Sequence, residues 1–186
     1  LALHDQEKEG GEIEGRLDVP VTYLPNRGID DLYADVAGVG KVCGREAAAG
    51  SLAAAIQRKI SEVAERASHT GTKPRVLFIL GLPGFTAGKG SYLDDLIKLA
   101  GGVNVAGGVD QPYPDLGGEA IVAMHPDVIV VSREVPFGDD VRSREPWSSL
   151  EAVRSGRVEV SPDDDILERP GPRIVDGLAW LEKAIH

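Results

Sequence analysis

The chain has 186 residues, of which 42% are hydrophobic, and a formal net charge of −10 at neutral pH. This length suits one ordinary domain, or one small domain with part of another, and the apolar content supports a real core. No run of Lys or Arg offers a basic face to nucleic acid, and no segment approaches the roughly 20 apolar residues that span a bilayer. The single cysteine, Cys43, excludes a disulfide framework and a cysteine-based zinc site, and we expect it to be a small buried residue.

The first part of the chain mixes strand-like and helical segments. A charged segment at residues 5–16 predicts a solvated helix or loop, and prolines bound a predicted edge strand at residues 19–25. Apolar residues at helical spacing predict a helix over residues 29–39. We expect that helix to be broken by glycines, namely Gly38, Gly40 and Gly44.

Residues 45–67 predict one long helix. This segment has no proline, one interior glycine and many strong helix formers. Its apolar face is predicted to consist of Leu52, Ile56, Ile60, Val63 and Ala67. A helix of roughly 20 residues runs about 30 Å, which is long enough to act as a rigid strut between two units.

After residue 73 the sequence alternates between strands and helices. Strands are predicted at residues 76–80, 103–106, 128–131 and 158–160, and helices at residues 92–100, 119–125, 147–153 and 174–185. A loop is expected at residues 161–165. Short apolar strands between helices are typical of a parallel sheet that is buried on both faces. The predicted fold class is therefore α/β, with a mainly parallel sheet and helices on both of its faces.

A glycine-rich turn at residues 84–91 follows the first of these strands and precedes a helix, which is where phosphate-binding loops lie. It departs from a P-loop because the first glycine is too close to the Gly-Lys pair and Gly90 replaces the Ser or Thr that would bind magnesium. One possible function is therefore that of a cytosolic α/β nucleotide-binding protein that uses this turn, and we keep it as the alternative to the function inferred below.

The carboxyl ends of parallel strands meet at one edge of the sheet, where open α/β sheets bind ligands. Three loops should meet there, at residues 82–88, 132–137 and 161–169. Aromatic and polar side chains on such loops suit an organic ligand, although ordinary solvated loop residues are the alternative for each. The expected ligand contacts are Phe85, Thr86, Arg133, Phe137, Asp165 and Arg169, and the same loops carry Asp163 and Glu168.

Metal and catalytic sites lack support in the sequence. The run Asp163, Asp164 and Asp165 lacks the alternating ligands and glycine turn of a calcium loop. The four histidines are scattered, and no pair has metal-ligand spacing. No nucleophile, base and orienting group can be assembled, so the sequence predicts a binding protein and not an enzyme.

Three segments carry a resemblance to a known family, and their order and spacing match as well. They are residues 92–106, residues 119–131 and the Arg-Pro-Gly-Pro-Arg motif at residues 169–173, and residues 147–160 also fit. The chain resembles the substrate-binding proteins of ABC importers for cobalamin, haem and ferric siderophores. This resemblance implies two α/β lobes joined by one long helix, with the ligand held between the lobes and no separate cofactor.

The resemblance divides the chain into three parts. Residues 1–44 would be a partial N-terminal lobe, residues 45–72 the long interlobe helix and linker, and residues 73–186 the C-terminal lobe. The family's opening strand, helix and loops have no counterpart here, so the chain would be either truncated or divergent. A partial lobe leaves strand edges and apolar faces that a second copy could cover, which makes a homodimer through this lobe an expectation.

The resemblance also implies partners and a location. The protein would capture an iron-siderophore, haem or cobalamin outside the cytoplasm, in the periplasm or anchored at the cell surface, and deliver it to an ABC permease. A signal segment is not visible in this chain. In the family a glutamate on each lobe docks with arginines of the permease, and Glu119 matches that residue on the C-terminal lobe. Haem would need an axial Tyr or His, and Tyr23 and Tyr113 lack a supporting motif.

Overall fold

The computed structural model describes residues 2–3, 6–25 and 28–186. The chain divides into two compact units, Leu1–Arg58 and Lys59–His186. The division falls within one continuous helix, which therefore contributes to both units. The domain boundaries expected from the sequence, after residues 44 and 72, stay predictions.

The first unit contains short strands and long helices. Its elements are β1 (Ala2–Leu3), α1 (Glu7–Leu17), β2 (Tyr23–Leu24), α2 (Ile29–Val42) and the first half of α3 (Glu46–Ser68). Strands β1 and β2 pair in parallel. The charged segment predicted as a helix or loop is helix α1, and the strand expected at residues 19–25 is confined to β2.

The expectation that Gly38 and Gly40 would break helix α2 is wrong, because the helix continues through both residues. A Cβ at position 40 would lie 2.3 Å from the Cβ of Ala49, so glycine there permits close packing of α2 against α3. The helix ends before Gly44, which has a φ of +62° that favours glycine. Cys43 is exposed at this helix end, so its expected burial is wrong.

Helix α3 is unbroken over 23 residues, which confirms the predicted long helix. Its buried side chains include Ile56, Ile60, Val63 and Ala67. Leu52 is 42% exposed, because its turn of the helix is open to solvent, and its predicted place on the buried face is therefore wrong.

The homodimer expected through the first unit stays a prediction. The large apolar side chains exposed in this unit include Ile13, Leu17, Val19, Val42 and Leu52.

The second unit alternates strands and helices as expected. After the end of α3 its elements are β3 (Arg75–Gly81), β4 (Phe85–Thr86), α4 (Tyr92–Leu99), β5 (Val103–Asn104), α5 (Gly118–Ala123), β6 (Val128–Val131), α6 (Asp139–Arg142), a 3₁₀ turn (Trp147–Ser149), α7 (Glu151–Arg154), β7 (Val158–Val160), α8 (Asp164–Leu167) and α9 (Ile174–Ile185). The loop expected at residues 161–165 instead leads directly into α8. Asp163 caps this short helix by accepting a hydrogen bond from the Asp165 amide at 2.9 Å.

The sheet of the second unit has the strand order β4-β3-β6-β7, and β5 also pairs with β3. Strands β5, β6 and β7 join it in parallel, and only the short β4 is antiparallel. The central residues of β3 and all four residues of β6 are fully buried, as expected for strands covered on both faces. One face packs against apolar side chains of α5, α7 and the segment between β6 and α7. The predicted parallel α/β sheet is confirmed.

A charged pair fixes the end of α3 to α9 within the second unit. Arg66 Nε and Nη2 donate to the two carboxylate oxygens of Glu182 at 3.1 and 2.6 Å. The Glu182 side chain is only 12% exposed, so the bidentate arginine supplies hydrogen bonds that its carboxylate cannot make to water.

Replacing this arginine should therefore destabilise the protein. Arg66→Ala leaves a nearly buried carboxylate unpaired, and we expect a loss of roughly 1–3 kcal/mol in unfolding free energy. The control is Arg154→Ala, which removes an exposed pair with Glu151 and should cost less than about 1 kcal/mol. Urea denaturation measures both variants, and equal losses would contradict the anchoring role of Arg66.

Candidate functional site

The carboxyl ends of β3, β6 and β7 lie side by side. The register pairs Ile79 with Val131 and Val131 with Val160, so the three strands end at the same level. The next residues continue the pattern, because the Ser132 amide bonds the Ile79 carbonyl at 2.9 Å and the Ser161 amide bonds the Val131 carbonyl at 2.8 Å. The loops that follow these strands therefore start from one edge of the sheet, which we call the carboxyl edge.

The glycine-rich turn is held by a loop that the sequence did not single out, residues 109–116. The amides of Thr86, Gly88 and Lys89 donate to carbonyls of this loop at 2.8–3.1 Å. A Cβ at Gly84 or Gly88 would lie 2.0 or 2.2 Å from a carbonyl oxygen of the same loop. Glycine is needed here for close approach of two backbones, and three amides of the turn are already bonded to the loop and not turned to a phosphate.

The opposite side of the turn is anchored by Asn104. Its Nδ2 donates to the Ala87 carbonyl at 2.9 Å and to Asp94 Oδ1 at 3.0 Å. Asp94 is buried and forms an ion pair with Lys98 at 2.6 Å. These contacts hold the turn rigidly against α4, so side chains on the turn keep a defined position.

Two of the six expected contact residues are placed differently from the expectation. Thr86 is fully buried, and its hydroxyl donates to the Phe78 carbonyl. Phe137 is 5% exposed and packs edge-on against Trp147, with ring centroids 4.8 Å apart. Because both side chains are enclosed by the protein, they support the loops at the carboxyl edge and present little surface to a ligand.

The three charged contact residues are exposed. Arg169 pairs with Asp165 at 2.9 Å across one turn of chain, and Arg133 donates to the Pro162 carbonyl. Nearby, Arg173 bonds Asp163 at 2.8 Å, and its guanidinium lowers the pKa of that carboxyl below the usual range. Two arginines at this edge, Arg169 and Arg173, are thus paired with aspartates, and Arg133 is bonded to a backbone carbonyl.

Phe85 has an aromatic neighbour, Tyr113, which the sequence did not identify as a ligand contact. Its ring centroid lies 6.3 Å from that of Tyr113, at an interplanar angle of 37°. Phe85 is 40% exposed and Tyr113 is 43% exposed, so together they form an apolar surface. Tyr113 stands between two prolines in a segment without helical or strand periodicity, and only the contact with the turn reveals its place.

A polar cluster lies beside this aromatic pair. Asp164 accepts hydrogen bonds from the Ser132 hydroxyl at 3.0 Å and from the amides of Arg133 and Glu134 at 2.8 and 3.2 Å. Glu168 follows one helical turn later and is half-buried. Burial raises the pKa of Glu168, hydrogen bonding by Ser132 opposes this rise, and the carboxylates of Asp164 and Glu134 add to it.

Tyr92 completes the cluster from helix α4. It is 4% exposed, and burial raises the pKa of its phenol strongly, with smaller contributions from Tyr113 and Glu168. At this edge of the sheet, three buried atoms have no hydrogen-bond partner within the part of the chain that the structure describes, namely Tyr92 Oη, Ser161 Oγ and Glu168 Oε1. We call Tyr92, Ser132, Ser161, Asp164 and Glu168 the polar recess.

A sequence profile of the periplasmic binding protein family matches residues 7–164, which is most of the chain. The chain belongs to this family. The resemblance inferred from the sequence motifs is thereby confirmed.

Several proteins of known or named type are similar to this chain. It is 32% identical over 166 residues to the cobalamin-binding protein of Halobacterium salinarum, covering 85% of this chain and 44% of that protein. It is 27% identical over 171 residues to the ABC transporter substrate-binding lipoprotein YvrC of Bacillus subtilis, itself described as uncharacterised, covering 89% and 53%. The chain thus spans about half the length of these curated relatives.

Solved structures agree with the fold. The apo periplasmic heme-binding protein RhuT of Roseiflexus sp. RS-1 superimposes with a TM-score of 0.82 at 26% identity, covering 94% of this chain and 69% of that one. The α/β fold with a mainly parallel sheet is therefore that of this family.

Glu119, the residue matched to permease docking, is exposed at the start of α5. It lines an open hollow of about 660 Å³ together with Val122, Pro146 and a second carboxylate, Glu145. The surface therefore combines apolar contacts with two negative charges. Glu119 and Glu145 line the same hollow although they are 26 positions apart, so their proximity could not be predicted from sequence spacing.

Residues 2–3, 6–25 and 28–186 contain no group of three or more His, Cys, Asp or Glu side chains arranged to hold a metal ion. In the same part of the chain, no helix has the length and apolarity to cross a membrane.

The raised pKa of Glu168 predicts a pH-dependent effect on stability. Because the folded protein holds this proton to a higher pH than the unfolded chain, ionisation of Glu168 lowers stability as the pH rises above the ordinary value of about 4.3. Glu168→Gln should therefore raise the melting temperature relative to the parent protein at pH 7–8, and the gain should shrink as the pH falls towards 4. Glu65→Gln, on an exposed turn of α3, is the control. A gain that grows at low pH would contradict the assignment.

Proposed function

We propose that this protein is the substrate-binding component of an ABC importer, which captures cobalamin, haem or an iron-siderophore outside the cytoplasm and delivers it to the permease. It binds and presents its ligand and performs no chemical step. The observation that carries the proposal is the exposed Phe85–Tyr113 pair at the carboxyl edge of the sheet, in a chain of the periplasmic binding protein family. The cobalamin-binding and heme-binding relatives support the ligand class.

The aromatic pair suits the proposed ligands physically. Corrin and porphyrin rings are large and partly apolar, and siderophores carry apolar spacers, so each loses water-exposed surface against aromatic side chains. The neighbouring Asp165–Arg169 pair supplies a charged, hydrogen-bonding rim. A few polar groups around an apolar surface are typical of small-molecule sites.

The alternative function, nucleotide binding by residues 84–91, finds less support. Three amides of the turn, those of Thr86, Gly88 and Lys89, are bonded to the 109–116 loop. Lys89 is paired with Asp110 at 3.0 Å, so its charge is partly neutralised. We therefore favour a ligand that contacts side chains of this edge over a phosphate that contacts its backbone.

Removing either ring should weaken ligand binding. We expect Phe85→Ala and Tyr113→Ala each to raise the dissociation constant of the chelate that binds by about tenfold, because the contact area of one aromatic side chain is lost. Isothermal titration with cyanocobalamin, haem and a ferric hydroxamate identifies that chelate and measures the change.

The control is Val103→Ala, which removes an equally exposed apolar side chain. Val103 lies on β5 beside Arg75, at the end of β3 that is opposite to the carboxyl edge. It should leave the dissociation constant unchanged. If the parent binds ATP but none of the three chelates, the importer proposal fails. If Val103→Ala weakens binding as much as Phe85→Ala does, the carboxyl edge is not the ligand site.

For the permease we propose docking through the hollow beside α5, with Glu119 as the charged contact. Its negative charge is exposed, and the adjoining Val122 and Pro146 supply apolar surface. Glu145 adds a second negative charge at the same hollow, which favours an arginine-rich partner.

Reversing the charge of Glu119 should separate docking from capture. In the full-length protein reconstituted with its permease, Glu119→Arg should reduce chelate uptake at least about tenfold by replacing attraction with repulsion. The same variant should bind the chelate with unchanged affinity. Glu65→Arg makes the same charge change on helix α3 and should leave uptake intact. Normal uptake by Glu119→Arg would remove the docking role.

A further inference from the structure

The polar recess contains buried polar atoms that no residue in the described part of the chain satisfies. Tyr92 Oη and Ser161 Oγ belong to residues that are 4% and 2% exposed, and Glu168 Oε1 is also buried. Buried polar groups in native proteins are nearly always hydrogen-bonded, because leaving them unpaired costs free energy. Three such atoms at one sheet edge therefore require hydrogen-bond partners that the described residues do not supply.

The chemistry of these atoms restricts what that partner is. Glu168 Oε1 accepts hydrogen bonds, while the hydroxyls of Tyr92 and Ser161 both donate and accept. A group that fits all three must donate at least one hydrogen bond and can accept another. Carboxamides and hydroxyl groups meet this requirement, whereas a carboxylate has acceptors only.

The charge of the recess restricts the partner further. Asp164 and Glu168 place two carboxyl groups together, and Glu134 lies close enough to influence the second of them. An incoming carboxylate or phenolate would add another negative charge at close range in a partly desolvated site. The Asp164 carboxylate already accepts three hydrogen bonds from the protein. It therefore does not require a cationic ligand for stabilisation.

We propose that the polar recess binds a neutral, hydrogen-bond-donating group of the ligand, a carboxamide being the best fit, and selects against chelates that present a carboxylate or phenolate there. This inference rests on the proposed capture of a metal chelate at the carboxyl edge. The aromatic pair contacts the apolar part of the chelate, and the recess forms hydrogen bonds with its polar substituent. Sites that hydrogen-bond a substrate group discriminate strongly because the wrong group leaves buried atoms unpaired.

Matched probes test the selection directly. Cyanocobalamin carries peripheral carboxamides, and its monocarboxylic acids replace one carboxamide with a carboxylate of nearly the same shape. A neutral ferric trihydroxamate and an anionic ferric tricatecholate form a second pair, and haem adds a dicarboxylate. Isothermal titration at pH 7.5 should give the neutral member of the bound class a dissociation constant at least about tenfold lower than its anionic counterpart. Among the cobalamin acids, the isomer altered at the recess should bind most weakly.

Two variants connect the selection to the recess. Glu168→Gln should reduce the discrimination between neutral and anionic probes at least threefold, because it removes one of the charges. Tyr92→Phe deletes only the unpartnered hydroxyl, so it should weaken binding of the neutral probe while the melting temperature stays the same or rises. A merely structural hydroxyl would instead lower the melting temperature. Glu65→Gln is again the control and should change neither affinity nor discrimination.

The outcomes separate the two proposals. Tighter binding of haem or the ferric tricatecholate than of every neutral probe overturns the recess inference and leaves the importer proposal intact. Equal discrimination in Glu168→Gln and the parent also overturns the inference. If no chelate of either charge binds, both proposals fail together.

Discussion

The parallel register of β3, β6 and β7 determines where functional side chains of the second unit can lie. The central residues of β3 and all of β6 are apolar and fully buried, so burial on both faces holds these two strands in place. Strand β7 lies at the edge of the sheet, with Val160 46% exposed, and is held by its pairing with β6. Because Ile79, Val131 and Val160 share one level, the residues after them are brought together without any contact close in sequence. Ser132 and Ser161 become neighbours in this way although 29 positions separate them. A shift of one residue in this register would reverse the faces of every side chain and dissolve the recess.

The glycine-rich turn shows how one local pattern can serve two different purposes. Strand, glycines and helix in succession are shared by phosphate-binding loops and by turns that accept a second backbone at close range. Here the carbonyls of Leu116 and Gln111 occupy the space where side chains at Gly84 and Gly88 would stand. That contact brings Tyr113 to Phe85 and so creates the aromatic surface of the site. The same hydrogen bonds that occupy three amides of the turn therefore build the surface on which we place the ligand.

Much of the architecture could be predicted because its signals are local. Four of five residues on the predicted apolar face of α3 are buried, and the runs at β3 and β6 match the observed strands closely. The site was harder, since side-chain burial is decided by tertiary packing. Phe137 looked like a loop aromatic, but it fills the core against Trp147. The sequence identified Glu168 only as a polar loop residue. Its proximity to Tyr92 could not be predicted, because the two residues are 76 positions apart in the chain.

Buried polar atoms without hydrogen-bond partners lower the free energy of unfolding, so a core that served stability alone would not contain them. Their position at the carboxyl edge indicates why this protein retains them. In the second unit the buried Asp94 and Glu182 both have charged partners, so the chain does satisfy buried charges where they serve the fold alone. The recess differs because its hydroxyls and carboxyl lie beside the one aromatic pair of the edge that is open to solvent. Around it the arginines at this edge are engaged by aspartates or by a carbonyl oxygen, which leaves the recess itself acceptor-rich and negative. A surface of this kind is matched by a ligand that is apolar over most of its area, carries hydrogen-bond donors at its periphery and brings no negative charge to the recess.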